Sequence, residues 1–312
     1  MLTEALEVNT ESIIFTKNET QRVKLLRALS INQWLKNILI FIPAIFATVA
    51  WSFDLLSQLA LAFLGFSFIA SAVYVHNDIT DKKFDAQHPE KKKRSIASGE
   101  ISIQNARILQ FLLIAVGATL LFLISNKVFI LGIAYLIINL LYSQVLKQIP
   151  LVDLIPIISG YFIRLLIGED IAEAPLSIWI LLMVGLLATY LVLMKRQGDV
   201  QLFTTTGVQH RKTVVFYSKM NLPVTTMILI HAITLVFAAY IHFVFSQYPE
   251  EFSNLPYLTI PLTYIAIFSY HRSAQKRIQK DPISTLLRNP LSLICVGISF
   301  ILLVVTLYPA LG

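Results

Sequence analysis

Long apolar stretches follow one another along nearly the whole chain, separated by short polar ones. Nine of them come close to the roughly 17–25 residues that an α-helix needs to cross a bilayer. They lie at about 35–53, 55–76, 106–125, 128–146, 151–168, 176–194, 223–246, 255–270 and 290–309. The segment at 255–270 is short, and only Lys147, Gln148 and Pro150 separate the fourth stretch from the fifth. No polar region between them is long enough to bury a core of its own. The chain therefore reads as an all-α integral membrane protein: a polar N-terminal segment over 1–24, then a single transmembrane domain over 25–312. The opening MLTEALEVNTESIIFTKNET is polar and acidic and lacks the apolar core of a cleaved signal peptide.

Composition agrees with this reading. Of 312 residues 56% are hydrophobic and 14% charged, where a soluble domain carries about a quarter charged. The single cysteine, Cys295, lies in an apolar run, which excludes an internal disulfide and suits an inert buried thiol. With nine spans, the N-terminus and the loops near 77–105, 147–150, 195–222 and 271–289 share one side. That side carries 23 of the 25 lysines and arginines, against Lys127 opposite and Arg164 within a span. By the positive-inside rule the charged side is cytoplasmic, which predicts a multi-pass protein of the inner (plasma) membrane with its N-terminus in the cytoplasm. The net charge of +7 then needs no nucleic acid to explain it.

The densest polar stretch is YVHNDITDKKFDAQHPEKKKRSIASGE, residues 74–100. A cytoplasmic loop facing anionic headgroups accounts for its lysines. It does not account for Asp78, Asp81 and Asp85, whose i, i+3, i+7 spacing puts three like charges on one helix face. A divalent cation reverses the sign of that interaction. Mg²⁺ usually takes one or two carboxylates and fills its octahedron with water and substrate phosphates. Carboxylates at the end of a membrane helix, with Lys91 and Arg94 just beyond, are one way to hold a diphosphate through metal.

Two further clusters lie on the same side. LMKRQGDV, at the end of the sixth span, holds Lys195, Arg196 and Asp199; it reads either as a salt-bridged helix end or as a second wall of one cavity. LYSQVLKQIPLVDLIPIISGYFIRLLIGE holds Tyr142, Lys147, Asp153 and Arg164. Arg164 is a full charge inside a span, where such groups normally face a polar cavity. Structural pairing with Asp153 and contact with a substrate are both open to it.

These stretches carry a resemblance. NDITDKKFD resembles the first aspartate motif, NDxxDxxxD, of the UbiA prenyltransferase superfamily of membrane enzymes. Within it the similarity points to the polyprenyl-phosphate phosphoribosyltransferases: INQWLKNILIFIPAIFA looks like their opening helix, HPEKKKRSIASGEIS like their HPxKxxRPIASG stretch, and YSQVLKQIPLVD like their fourth-loop motif. KRQGD sits where they have KRxxE, HRKTVVFYS resembles their R-x-x-L-x-x-Y segment, and DPISTLLRNPLSLICVG looks like their last loop. Ser95 stands in place of a proline, and Asp199 in place of a glutamate, which keeps the carboxylate but shortens its reach.

The resemblance implies nine transmembrane helices around a central polar cavity open to the cytoplasmic side. It implies Mg²⁺ held by Asn77, Asp78, Asp81 and Asp85, and transfer of 5-phosphoribosyl from 5-phosphoribosyl 1-diphosphate to a polyprenyl phosphate in the bilayer. Two anions then have to meet, so the cavity needs positive charge, and Lys36, Lys91, Arg94, Lys147, Arg164, Lys195 and Arg196 are the candidates. Tyr74, one turn before Asp78, is a candidate hydrogen-bond donor to ribose or phosphate. Polyprenyl chain length and oligomeric state stay open. So do two other functions: prenyl transfer from a diphosphate to an aromatic acceptor, and transport, against which the charges cluster on one side rather than at mid-membrane.

Overall fold

Among the described residues five helices are long and apolar enough to cross a membrane: Phe53–Thr80, Ile103–Phe122, Asn126–Gln144, Ile178–Thr206 and Leu222–Phe245. The computed structural model describes residues 28–46, 51–87, 91–207, 212–246, 254–276 and 282–307, and the polar segment 1–24 lies outside them. Among the described residues all regular structure is helical, with no strand. Each of the nine apolar stretches contains helix, but four fall short of a plain apolar span for visible reasons. The first starts as an eleven-residue 3₁₀-helix, Ile31–Phe41, continued by Ile42–Phe46. Ile155–Ala172 carries Arg164, Glu169 and Asp170. Thr259–Lys276 ends in a polar turn, and Pro290–Thr306 is apolar but short.

The chain gathers into two units, residues 1–38 with 56–144 and residues 39–55 with 145–312. In the first, Phe53–Thr80 has 28 residues, about 42 Å of helix at 1.5 Å per residue, more than the apolar slab of about 30 Å. Its last turn, with Asn77 and Asp78, therefore runs past the apolar region. The helix is apolar on all sides, and its buried face is made largely of small residues, among them Ala62, Gly65, Ser67, Ala70, Ser71 and Ala72. Lipid is as apolar as leucine, so close approach rather than hydrophobicity selects this face. Two hydrogen bonds fix the 3₁₀-helix beside it: Trp34 Nε1 donates to Ser71 Oγ at 2.9 Å and Asn37 Nδ2 to Ser67 Oγ at 2.7 Å.

The second unit packs Tyr190, Met194, Ile230, Ile233, Tyr270 and Ala274 into one buried cluster, and Leu154, Val192, Leu193, Tyr217 and Leu222 into another. Its helix ends follow the capping chemistry of the sequence. Ser177 accepts the Trp179 N–H, Asn221 accepts the Val224 N–H, and Gly207 closes Ile178–Thr206 at φ +70°. In the first unit Ser102 and Ser125 cap Ile103–Phe122 and Asn126–Gln144 in the same way.

Candidate active site

The emergent end of Phe53–Thr80 carries the aspartates. The Asp81 N–H donates to the Asn77 carbonyl and the Asp85 N–H to the Asp81 carbonyl, both at 2.8 Å, so the helical path continues from Thr80 through Asp81 into Lys82–Asp85. That continuity keeps Asp78 and Asp85, seven residues apart, on one face. Both meet a single guanidinium: Arg94 Nη1 lies 2.7 Å from Asp78 Oδ1 and 2.9 Å from Asp85 Oδ2. Asp85 is buried at 4% exposure, whereas Arg94 keeps 43% of its side chain exposed. The basic loop reaches back because it is tied at its turns. Arg94 N–H donates to the Lys91 carbonyl, Ser98 N–H to the Arg94 carbonyl and Ile101 N–H to the Ser95 carbonyl. A cavity of about 240 Å³ beside the pair is lined by Ser30, Asp78, Lys93, Arg94, Ser95 and their apolar neighbours Ala28 and Ile96.

Asn77 meets a residue the sequence reading passed over. The Ser143 hydroxyl bridges Asn77 Oδ1 and the carbonyl of Asn139. Ser143 is fully buried, next to the expected Tyr142, which is also buried. The signal was present: Tyr135, Asn139, Tyr142 and Ser143 form a polar stripe at helical spacing inside an apolar span.

The second unit holds a buried ionic chain. Arg196 Nε is 2.9 Å from Asp153 Oδ2, and Arg196 Nη1 is 2.9 Å from Asp199 Oδ2. Asp153 and Arg196 are almost fully enclosed, while Asp199 keeps 23% of its side chain exposed. Tyr217, absent from the sequence expectations as a site residue, donates to Asp153 Oδ1 at 2.5 Å and accepts the Leu151 N–H at 3.2 Å. Burial, reinforced by the bond to the Asp153 carboxylate, pushes the Tyr217 hydroxyl up to about 12, so it stays a donor.

Asp153, considered above as a partner for Arg164, is thus taken up by Arg196 and Tyr217. Arg164 is buried at 4% exposure, and its guanidinium turns back one helical turn to the Gly160 carbonyl, the direction long side chains take on a helix. Lys195 is exposed, and Lys36, Tyr74, Lys91 and Lys147 are half-buried.

Among the described residues no three His, Cys, Asp or Glu side chains converge as a ready metal shell. The donor set nevertheless suits a hard cation. Asp78 and Asp85 already direct one oxygen each at a single positive charge within 2.9 Å, and two carboxylates completed by water and phosphate oxygens are what Mg²⁺ takes.

Apolar helices and paired carboxylates at an emergent helix end define a multi-pass membrane protein with an acidic site under a basic loop. The signature of the UbiA prenyltransferase family matches residues 37–290, and the chain belongs to that family. It is accordingly an enzyme of the UbiA superfamily. It is 30% identical over 200 residues to the decaprenyl-phosphate phosphoribosyltransferase of Mycobacterium tuberculosis, covering 63% of this chain and 66% of that protein. It is 32% identical over 155 residues to the uncharacterized protein y4nM of Sinorhizobium fredii, covering half of this chain and 30% of that protein. The chain thus spans just under two thirds of the first relative's length and under a third of the second's. The structure of a UbiA homolog from Archaeoglobus fulgidus bound to GPP and Mg²⁺ shares the fold, with a TM-score of 0.65, 19% identity, and 89% of this chain and 99% of that chain covered.

Proposed function

We propose that the protein transfers 5-phosphoribosyl from 5-phosphoribosyl 1-diphosphate to a polyprenyl phosphate of the inner membrane, with Mg²⁺, releasing diphosphate. The observation that carries this reading is the convergence of Asp78 and Asp85 on one cationic group beside a basic loop. The similarity to the mycobacterial phosphoribosyltransferase supports it.

In this reaction the bond from the anomeric carbon to the diphosphate oxygen breaks, and diphosphate leaves with the electron pair. A bond to an oxygen of the lipid phosphate forms in its place. That phosphate is already ionised at neutral pH, so no side chain has to act as general base. Mg²⁺, when bound, neutralises the departing diphosphate. Asn77, Asp78, Asp81 and Asp85 would hold it, with Ser143 orienting Asn77. Arg94 and Lys91 are assigned to diphosphate oxygens, Arg94 exchanging its carboxylate partners for phosphate. Tyr74 is assigned to the ribose or its phosphate. Lys36, Lys147, Arg164, Lys195 and Arg196 supply positive charge for the phosphates of the two substrates, and Asp199 a further carboxylate for the metal.

One observation favours a second reading: the Archaeoglobus homolog binds GPP, a prenyl diphosphate. The same aspartates would then serve prenyl transfer to an aromatic acceptor. The test is to supply purified protein with phosphoribosyl donor and polyprenyl phosphate, and separately with prenyl diphosphate and an aromatic acid. Product is expected only from the first pair, and is expected to vanish with EDTA or in Asp81→Ala. Product only from the second pair, or full activity without metal, rejects the proposal.

A further inference from the structure

We propose that Tyr217 and Asp153 are positioning residues that fix Arg196 and, through it, the carboxylate of Asp199. The inference rests on the assignment of Asp199 to the metal–diphosphate made above. Its basis is a chain of contacts confined to the second unit. Tyr217 Oη donates to Asp153 Oδ1, the other Asp153 oxygen meets Arg196 Nε, and Arg196 Nη1 meets Asp199 Oδ2. Held on both oxygens, the Asp153 carboxylate cannot rotate without losing a partner. The ion pair at Nε, close but not aligned as a hydrogen bond, anchors the Arg196 guanidinium, and the hydrogen bond from Nη1 directs it at Asp199. Asp199 is thereby restricted to the rotamer that reaches Nη1.

Three features set this apart from a salt bridge that only stabilises. A buried ion pair gains little stability over apolar packing, yet Asp153 and Arg196 are both enclosed. The chain also rests on a strained support. Leu151 adopts φ +67°, a conformation costly for a residue with a Cβ, and its N–H bonds to the same Tyr217 hydroxyl. That bond ties the turn carrying Asp153 to the Val214–Tyr217 helix. Finally, the formal charges of Asp153, Arg196 and Asp199 sum to one negative, and Asp199 is the member of the three with part of its surface open. What this group offers a ligand is a carboxylate for a cation, with the Arg196 charge already offset from inside. Arg196, counted above among the cations for the phosphates, then acts through Asp199, and the charge for the phosphates comes from Lys36, Lys147, Arg164 and Lys195.

The test is calorimetric titration of Mg²⁺ with inorganic diphosphate into the full-length protein in detergent, for wild type, Asp199→Asn, Tyr217→Phe and the double variant. Asp199→Asn is expected to weaken binding about tenfold and Tyr217→Phe roughly threefold to tenfold, the loss of about one charge-assisted hydrogen bond. The double variant is expected to bind no more weakly than Asp199→Asn alone, since both changes act through one carboxylate. Tyr217→Phe is expected to fold but to melt below wild type, since it takes a partner from Asp153 Oδ1 and from the Leu151 N–H, and its binding is read on the folded protein; should it fail to fold, Arg196→Lys, which keeps the charge but loses the guanidinium geometry, takes its place with the same expected loss. If Tyr217→Phe binds like wild type while Asp199→Asn is weakened, or if the two losses add, positioning is overturned and the role of Asp199 stands. If Asp199→Asn itself binds like wild type, its assignment to the metal falls and the inference with it.

Discussion

Arg94 occupies the place between Asp78 and Asp85 that the proposed reaction gives to magnesium. Removing it leaves two close carboxylates without their counter-charge, which strengthens their attraction for a cation, but it also takes a partner from the diphosphate. Arg94→Gln is therefore expected to tighten Mg²⁺ binding in the absence of donor while raising the donor KM about tenfold or more; unchanged values for both would detach Arg94 from the site. Arg164 poses a different question. Buried on Ile155–Ala172, it reaches the Gly160 carbonyl of its own helix. If it also serves a substrate phosphate, Arg164→Ala should lower kcat/KM of the folded fraction roughly a hundredfold. Loss of yield alone, with normal kcat/KM in the protein that survives, would make it a purely structural residue. The aspartate face was legible because helical spacing is a local property. The pairings Asn77–Ser143 and Asp153–Tyr217 join residues 66 and 64 positions apart, and nothing in local spacing reports which distant side chains meet. That is why Asp153 suggested Arg164, on the next helix, and not Arg196 and Tyr217.

Helices in this chain are positioned by close contact at small residues. Gly168 is the sharpest case: a Cβ there would lie 2.0 Å from the Ile40 carbonyl oxygen, a backbone atom that cannot swing aside. Gly297, by contrast, has nothing within 4 Å of such an atom. Gly168→Ala is expected to cost about 1–3 kcal/mol through overpacking and Gly297→Ala almost nothing, read as melting temperatures in detergent. Equal effects would mean that the contact does not carry the packing. Helix boundaries followed Ser102, Ser125, Ser177, Asn221 and Gly207, whose capping chemistry is visible in sequence. The first stretch was less legible. Apolarity predicted a span over 35–53, whereas Ile31–Phe41 is a 3₁₀-helix pinned through Trp34 and Asn37 to serines some thirty to forty residues away.

The chain is a multi-pass membrane enzyme of the UbiA superfamily, and the charge asymmetry of its loops predicts how it is oriented. The basic loop is expected on the cytoplasmic side and Lys127 on the other. In a Cys295→Ala background, Lys127→Cys should react with a membrane-impermeant maleimide applied to intact cells, and Lys92→Cys only after lysis; the reverse pattern would invert the topology. Apolar patterning gave the membrane class, because it depends on composition alone. The reaction depends on which anions the site brings together, and is tested by following the atoms transferred. Purified protein would be given polyprenyl phosphate, Mg²⁺ and phosphoribosyl donor radiolabelled either in the 5-phosphate or in the terminal phosphate of the diphosphate. Label from the 5-phosphate is expected to pass into the organic, lipid-containing phase, and label from the diphosphate to stay in water as free diphosphate. If neither label enters the lipid while a labelled prenyl diphosphate alkylates an aromatic acid under the same conditions, the protein is a prenyltransferase and the proposed phosphoribosyl transfer is wrong.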